Sequence, residues 1–394
     1  MRNFLSIVLI FSFLHSGAQN KKHATNAKRL TEFKFKELIG GVILVKAKLN
    51  DLPGDLNFIL DTGSGAISLD SATVVNNNIP HQPSGRKVSG IAGVREVDFS
   101  PNNTLTMPGL KIDSLDFYIN DYQILTGVYG IKIDGIIGYS FFKRFIVKVD
   151  FDSSKLSIFT PGNIRYPKQG TLLHPAFSAL PIQRMLIRDK AEVNSNFYLD
   201  TGAGLCLLVS KQFVSDSSFL APKRKPFAIQ VQGLGGKKRL SLTVIKKVKI
   251  GPYQFRKVPT TILDDEFNAL SYPHIIGLIG NDLLRRFNLV INYPDKEIHL
   301  SANSHFRDDF DYSYTGVNLY FDEGLIIADD VIENSPAFFG GLKKDDIIVA
   351  INNNFSQNII LYNTSMSEVG KRIEMIIRRD SELITIHFIV GKIN

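Results

Sequence analysis

The sequence predicts a mostly β protein in which one lobe is present twice, followed by a small α+β domain. Three observations carry that expectation. Apolar runs rich in β-branched residues alternate with turns of Gly, Pro, Asn and Asp. One set of short motifs recurs at nearly constant spacing. Residues 304–394 repeat nothing upstream of them. The length of 394 residues leaves room for roughly two to three domains. A composition 44% hydrophobic and 21% charged suits a water-soluble globular chain with a sizeable core.

At the amino terminus, Arg2 precedes an apolar stretch from Phe4 to Leu14 that is too short to span a bilayer, and Ser16-Gly17-Ala18 offers small residues for cleavage. Residues 1–18 therefore read as a secretory signal, with a retained membrane anchor as the competing reading. The expected location is secreted or periplasmic. Gln19 follows the signal where a lipidated protein would carry cysteine. Residues 19–32 are polar and basic, which predicts a flexible lead; whether they act as a propeptide is left open.

The first lobe is assigned to residues 33–160. Gly41 to Leu49 is a β-rich run, Leu52-Pro53-Gly54-Asp55 a turn, and the next strand ends in Asp61-Thr62-Gly63-Ser64. The second lobe, residues 161–303, repeats the plan after Pro161-Gly162 and delivers Asp200-Thr201-Gly202-Ala203. Two further landmarks recur in the same order. Gly90-Ile91-Ala92-Gly93 answers to Gly233-Leu234-Gly235-Gly236, and the segment Gly135 to Phe145 answers to Gly277 to Phe287. The copies lie 139 to 143 residues apart throughout. Each lobe closes with a short helix and a strand pair, turning at Asp152-Ser153-Ser154 and at Pro294-Asp295-Lys296.

Two aspartates facing each other cannot both ionise, so they share a proton and supply a general base and a general acid together. That is the minimum for hydrolysing an amide without a metal or covalent intermediate. Glycine after the aspartate lets backbone approach the opposite carboxylate, and threonine can bond across to the other loop. Ser64 could donate a hydrogen bond to its own carboxylate while Ala203 cannot, an asymmetry that would make the first acid the readier base.

The doubled Asp-Thr-Gly, the glycine-rich segment and the apolar-apolar-Gly segment together resemble the retropepsin and pepsin superfamily of aspartic peptidases, over about residues 33 to 302. The resemblance implies a bilobal pepsin or retropepsin-like acid protease fold and a catalytic pair of Asp61 and Asp200. It implies loop support from Thr62, Gly63, Ser64, Thr201 and Gly202. It also implies two flaps, tipped by Gly90, Ile91 and Gly93 and by Gly233, Leu234 and Gly235, over an extended polypeptide substrate.

In the last segment, Ser335-Pro336-Ala337, Gly341-Leu342, Asp346-Ile347-Ile348 and Ile351-Asn352 resemble bacterial PDZ domains. Ser335 reads as a helix N-cap with Pro336 in the first turn, and Ile347 to Ile351 as a buried strand. The resemblance implies that Gly316, Val317, Asn318 and Leu319 capture a peptide, often by its C-terminus. A domain that only packs against the lobes is the competing reading.

The net charge is +8, spread over clusters such as Lys223-Arg224-Lys225 and Lys237-Lys238-Arg239. These lack a nucleic-acid module and suit solvated hairpin edges. Lys237 to Arg239 directly follow the second flap and invite acidic substrate residues. The lone Cys206 reads as buried packing. No zinc pair His-Glu-x-x-His and no phosphate loop is present, so the sequence implies no metal or organic cofactor. A non-catalytic peptide-binding scaffold is the competing function.

Overall fold

The computed structural model describes residues 25–90, 93–233, 236–264 and 274–393. The expected signal segment lies outside them. The first lobe runs β1 (Arg29–Lys34), β2 (Lys36–Glu37), β3 (Ile43–Leu49), β4 (Leu56–Leu60), β5 (Ile67–Asp70), α1 (Ser71–Asn76), β6 (Gln82–Gly90), β7 (Gly93–Met107), β8 (Leu110–Asn120), α2 (Gln123–Tyr129), β9 (Gly135–Ile137), α3 (Tyr139–Phe142), β10 (Ile146–Asp150) and β11 (Lys155–Phe159). In β3 the alternation is plain: Val45, Ala47 and Leu49 enter the core while Lys46 and Lys48 stay exposed. Strands β2 to β9 form one sheet in the order β2-β3-β4-β9-β5-β8-β7-β6, curled into a barrel where β3 also pairs with β7.

The second lobe repeats this with β12 (Thr171–Leu173), β13 (Ala176–Phe177), β14 (Pro181–Arg188), β15 (Glu192–Leu199), β16 (Leu207–Ser210), α4 (Lys211–Asp216), β17 (Phe227–Gly233), β18 (Gly236–Ile250), β19 (Tyr253–Leu263), β20 (Ile275–Ile279), α5 (Asn281–Leu284), β21 (Phe287–Asn292) and β22 (Glu297–Ala302). Its sheet order, β13-β14-β15-β20-β16-β19-β18-β17 with β14 closing on β18, is that of the first lobe. The two copies even share their parallel pairings, β4 with β9 and β15 with β20, β5 with β8 and β16 with β19.

A separate six-stranded sheet, β1-β11-β10-β21-β22-β12, joins the lobes. At its centre β10 and β21 run antiparallel, with Val147 opposite Ile291 and Val149 opposite Leu289. Since Phe145 and Phe287 are equivalent in the repeat, each residue faces the counterpart of the other, the mark of a two-fold axis. Residues 29–32, expected in a flexible lead, belong instead to β1, whose register on β11 sets Glu32 against Ser157 and Phe33 against Leu156. The polar side chains of Arg29 and Glu32 pair on the solvent side of that strand. One apolar core runs through both lobes and this sheet.

The C-terminal domain comprises β23 (Ser313–Tyr314), β24 (Val317–Asp322), β25 (Leu325–Val331), α6 (Pro336–Phe339), β26 (Ile347–Ile351), α7 (Ile359–Ser365), β27 (Arg372–Arg379), β28 (Glu382–Ile389) and β29 (Gly391–Lys392). Strands β24 to β28 make an antiparallel sheet in sequence order, around a core of its own that includes Leu319, Ile326, Ile348, Tyr362 and Ile377. Ser335 caps α6 by accepting the Phe338 amide, with Pro336 in the first turn. Arg286 fastens the connection to the second lobe: it is buried, stacks 4.0 Å above Phe310 and donates to the carbonyls of Asp308 and Asp309. Among the described residues no helix is long and apolar enough to cross a membrane.

Candidate active site

Asp61 and Asp200 occupy equivalent turns, each just beyond the end of a central strand, β4 and β15. The strand ends are fixed by equivalent bonds, Asp61 N to Ile137 O and Asp200 N to Ile279 O, both 2.9 Å. Beneath them the threonines interlock. Thr62 N donates to Thr201 Oγ1 at 3.0 Å and Thr201 N to Thr62 Oγ1 at 3.1 Å. Each hydroxyl then donates across the lobe boundary, Thr62 to Leu199 O at 2.7 Å and Thr201 to Leu60 O at 3.0 Å. Thr62 and Thr201 are buried, so every one of these polar groups needs its partner.

This grip sets the acids face to face. A β-carbon on Gly63 would collide with the Asp200 carboxyl, and one on Gly202 with the Asp61 carboxyl. Only glycine leaves the gap in which the two carboxyls meet. Gly63 N donates to Asp61 Oδ1 at 2.6 Å; Gly202 N and Ala203 N donate to Asp200 Oδ1 at 2.9 and 3.0 Å.

Burial raises both acids above the ordinary aspartate value. Asp61 goes well above it, because the charge of Asp200 and the hydrogen bond between the carboxyls add to desolvation. The same bond acts on Asp200 in the opposite sense and favours its ionised form. The two carboxyls therefore titrate as a unit that keeps a proton to higher pH than a free aspartate would.

Ser64 behaves differently from the sequence expectation. Its hydroxyl donates to Ala66 O at 3.0 Å, while its carbonyl accepts from Tyr139 N. The asymmetry between the acids arises from the backbone amide of Ala203 and from the proton between them. The expected bond from the Ser64 hydroxyl to the Asp61 carboxyl is not made.

Each match to the family described as Aspartyl protease spans one lobe, residues 45–141 and residues 185–283. The chain thus matches that family model twice. Each begins inside the first long strand of its barrel, β3 or β14, and ends in the short helix α3 or α5, so the family pattern frames both acids symmetrically. No curated protein matches the chain. The C-terminal domain lies outside both matches.

The flap positions are partly described. Strands β6 and β7 form a hairpin with Gly90 opposite Gly93, and β17 and β18 another with Gly233 opposite Gly236; Ile91, Leu234 and Gly235 lie outside the described residues. Lys238 donates to Asp264 O, and Arg239, its side chain largely exposed, pairs with Asp330 at 3.3 Å. Cys206 is buried, as expected, and donates to Asp282 at 2.8 Å. Gly316 sits at positive φ, its carbonyl taken by Ile332 N at 2.7 Å, and Val317 to Leu319 run into edge strand β24.

Three aromatic residues at this site escaped the sequence reading. Tyr129, on α2, is buried and its hydroxyl is kept neutral by desolvation and by the charges of Asp61 and Asp200. Tyr293 is subject to the same influences, donates to Thr62 O at 3.4 Å and stacks on Phe142. The Tyr122 hydroxyl bonds that of Ser68 at 2.6 Å, and its amide donates to Asp70 Oδ1 at 2.9 Å. The seven-residue spacing of Tyr122 and Tyr129 was the available signal, because it puts both on one helical face.

Proposed function

We propose that the protein is an aspartic endopeptidase acting on extended polypeptides held between the two lobes. The observation that carries the reading is the meeting of two buried acids, one from each lobe, across the gap that Gly63 and Gly202 leave and the crossed threonine bonds hold. Burial raises both, and the charge of Asp200 raises Asp61 further, so that one proton is shared between them. A water between them would give a proton to Asp200 as its oxygen adds to the peptide carbonyl carbon. Asp61 would give its proton to the carbonyl oxygen. The tetrahedral diol then breaks its C–N bond as a proton passes to the leaving nitrogen, and the pair returns to its starting state. Thr62, Gly63, Thr201 and Gly202 hold this geometry, Ser64 shapes the first turn through Ala66, and the glycine-tipped hairpins exclude bulk water.

The C-terminal domain is proposed to be PDZ-like, on its motifs and its capped helix α6, and the chain to be exported as a secreted or periplasmic enzyme on the strength of residues 1–18. The test is cleavage of casein and of a peptide library, read by mass spectrometry, at acidic and neutral pH. Wild-type cleavage lost in both Asp61→Asn and Asp200→Asn supports the enzyme. Peptide binding without cleavage at any pH would favour the scaffold.

A further inference from the structure

Helix α2 belongs to the first lobe, yet one of its faces is covered by the C-terminal domain. Positions 122, 125 and 129 pack inward on a cluster with Leu44, Ile59 and Ile136. Positions 123, 127 and 130 fall on the opposite face, as a helical period requires. There Tyr320 of β24 donates to Gln123 O at 3.1 Å, and a β-carbon on Gly127 would fall inside the Tyr320 ring. Gly130 ends the helix in a left-handed turn, and a β-carbon there would strike Ile359, the first residue of α7. Two glycines and one tyrosine thus let α2 seat against β24 and the start of α7.

The same domain holds the second lobe. Gln230 of β17 donates to Asp329 at 2.8 Å, Arg239 of β18 pairs with Asp330 at 3.3 Å, and Tyr314 donates to Ala228 O at 3.1 Å beside the Phe227 ring. Helix α2 also lies alongside β17. Three bodies meet there: a helix of lobe one, a flap strand of lobe two, and the edge of the C-terminal sheet.

We propose that the C-terminal domain is an intramolecular clamp bridging the two lobes, with Tyr320 as a positioning residue for α2, the helix that carries Tyr129 to the acid pair. On this assignment the face of β24 and α7 nearest α2 is occupied by the chain itself. An added peptide reaching it must compete with α2. The inference rests on the peptidase reading only for its kinetic consequence, and its structural content stands apart from it.

The deciding measurement is hydrogen exchange on the full chain, comparing wild type with Tyr320→Ala, Tyr320→Phe and the double variant Gln230→Ala/Arg239→Ala. The clamp requires about tenfold faster exchange of α2 amides in Tyr320→Ala, and a smaller rise in Tyr320→Phe, which keeps the ring against Gly127 and loses the bond to Gln123. The double variant must speed exchange in β17 and β18 while leaving β6 unchanged. If Tyr320→Ala does not fold, Tyr320→Phe and the double variant decide. Unchanged α2 exchange in the folded Tyr320 variants overturns the clamp. Peptide cleavage by the same samples is expected to show a raised KM with kcat less affected. A wild type that exchanges as expected but cleaves nothing removes the peptidase reading and leaves the clamp standing.

Discussion

Thr62 and Thr201 exchange amide-to-hydroxyl hydrogen bonds, at 3.0 and 3.1 Å, so the backbone of each Asp-Thr-Gly turn is held by a side chain of the other lobe. Replacing either by valine keeps the volume but strands a buried amide and a buried carbonyl. An unmade buried bond costs about 1–3 kcal/mol. Thr62→Val and Thr201→Val are each expected to lower the denaturation midpoint and to cut cleavage by more than tenfold, read by chemical unfolding and by peptide turnover. Equal stability in both variants would mean that the lobes are aligned by the interlobe sheet alone.

Cleavage should depend on pH through the shared proton. Burial and the neighbouring charge raise Asp61 well above the usual carboxylate range, so the singly protonated pair survives to higher pH than two independent aspartates would allow. The rate is expected to fall on the alkaline side as the pair loses its shared proton and on the acid side as it gains a second. A profile of kcat/KM against pH, fitted to two apparent values for the pair, checks this.

The same shifts have a consequence for stability. Both acids are raised in the folded state, so the folded chain binds protons more tightly than the unfolded chain. Stability from that binding is fully present below the unfolded carboxylate values and is lost as pH rises through the folded ones. Asp61→Asn needs no proton to stay neutral. Its melting temperature is expected to exceed that of the wild type at about pH 7, with the difference narrowing towards about pH 3.

Arg286 offers a test of how the C-terminal domain is attached. Its guanidinium serves several carbonyls and the Phe310 face at once, which a lysine cannot do. Arg286→Lys and Arg286→Ala are both expected to expose residues 304–312 to limited proteolysis, with a stability loss of about 1–3 kcal/mol for alanine from the carbonyls left unpaired. Mass spectrometry of the first fragments locates the cut.

Much of this arrangement was legible in the residues. The repeat located both acids, the strand that delivers each, and the short helix beneath, because those features depend on local turn chemistry and on motifs that recur. The capped helix at Ser335 and Pro336 was equally readable, since a cap is a contact between near neighbours. What escaped depends on distant partners. Nothing local says that Ser64 turns towards Ala66, that Arg239 finds Asp330, or that the lead contributes β1. Nor does anything local to Gly127 and Gly130 announce the Tyr320 and Ile359 side chains that lie against them.

The two-fold seam between β10 and β21 is the contact a pair of identical subunits would make. A symmetric dimer must use the same residue on both sides of its axis, and any improvement to one wall is imposed on the other. Joining the halves in one polypeptide lifts that restriction. Here one half keeps serine where the other has alanine, and Ala203 N donates to the acid of its own half alone. A helix of the first lobe is seated against a third domain, so a peptide held between the lobes, as proposed, would meet unlike walls and have a head and a tail to be told apart.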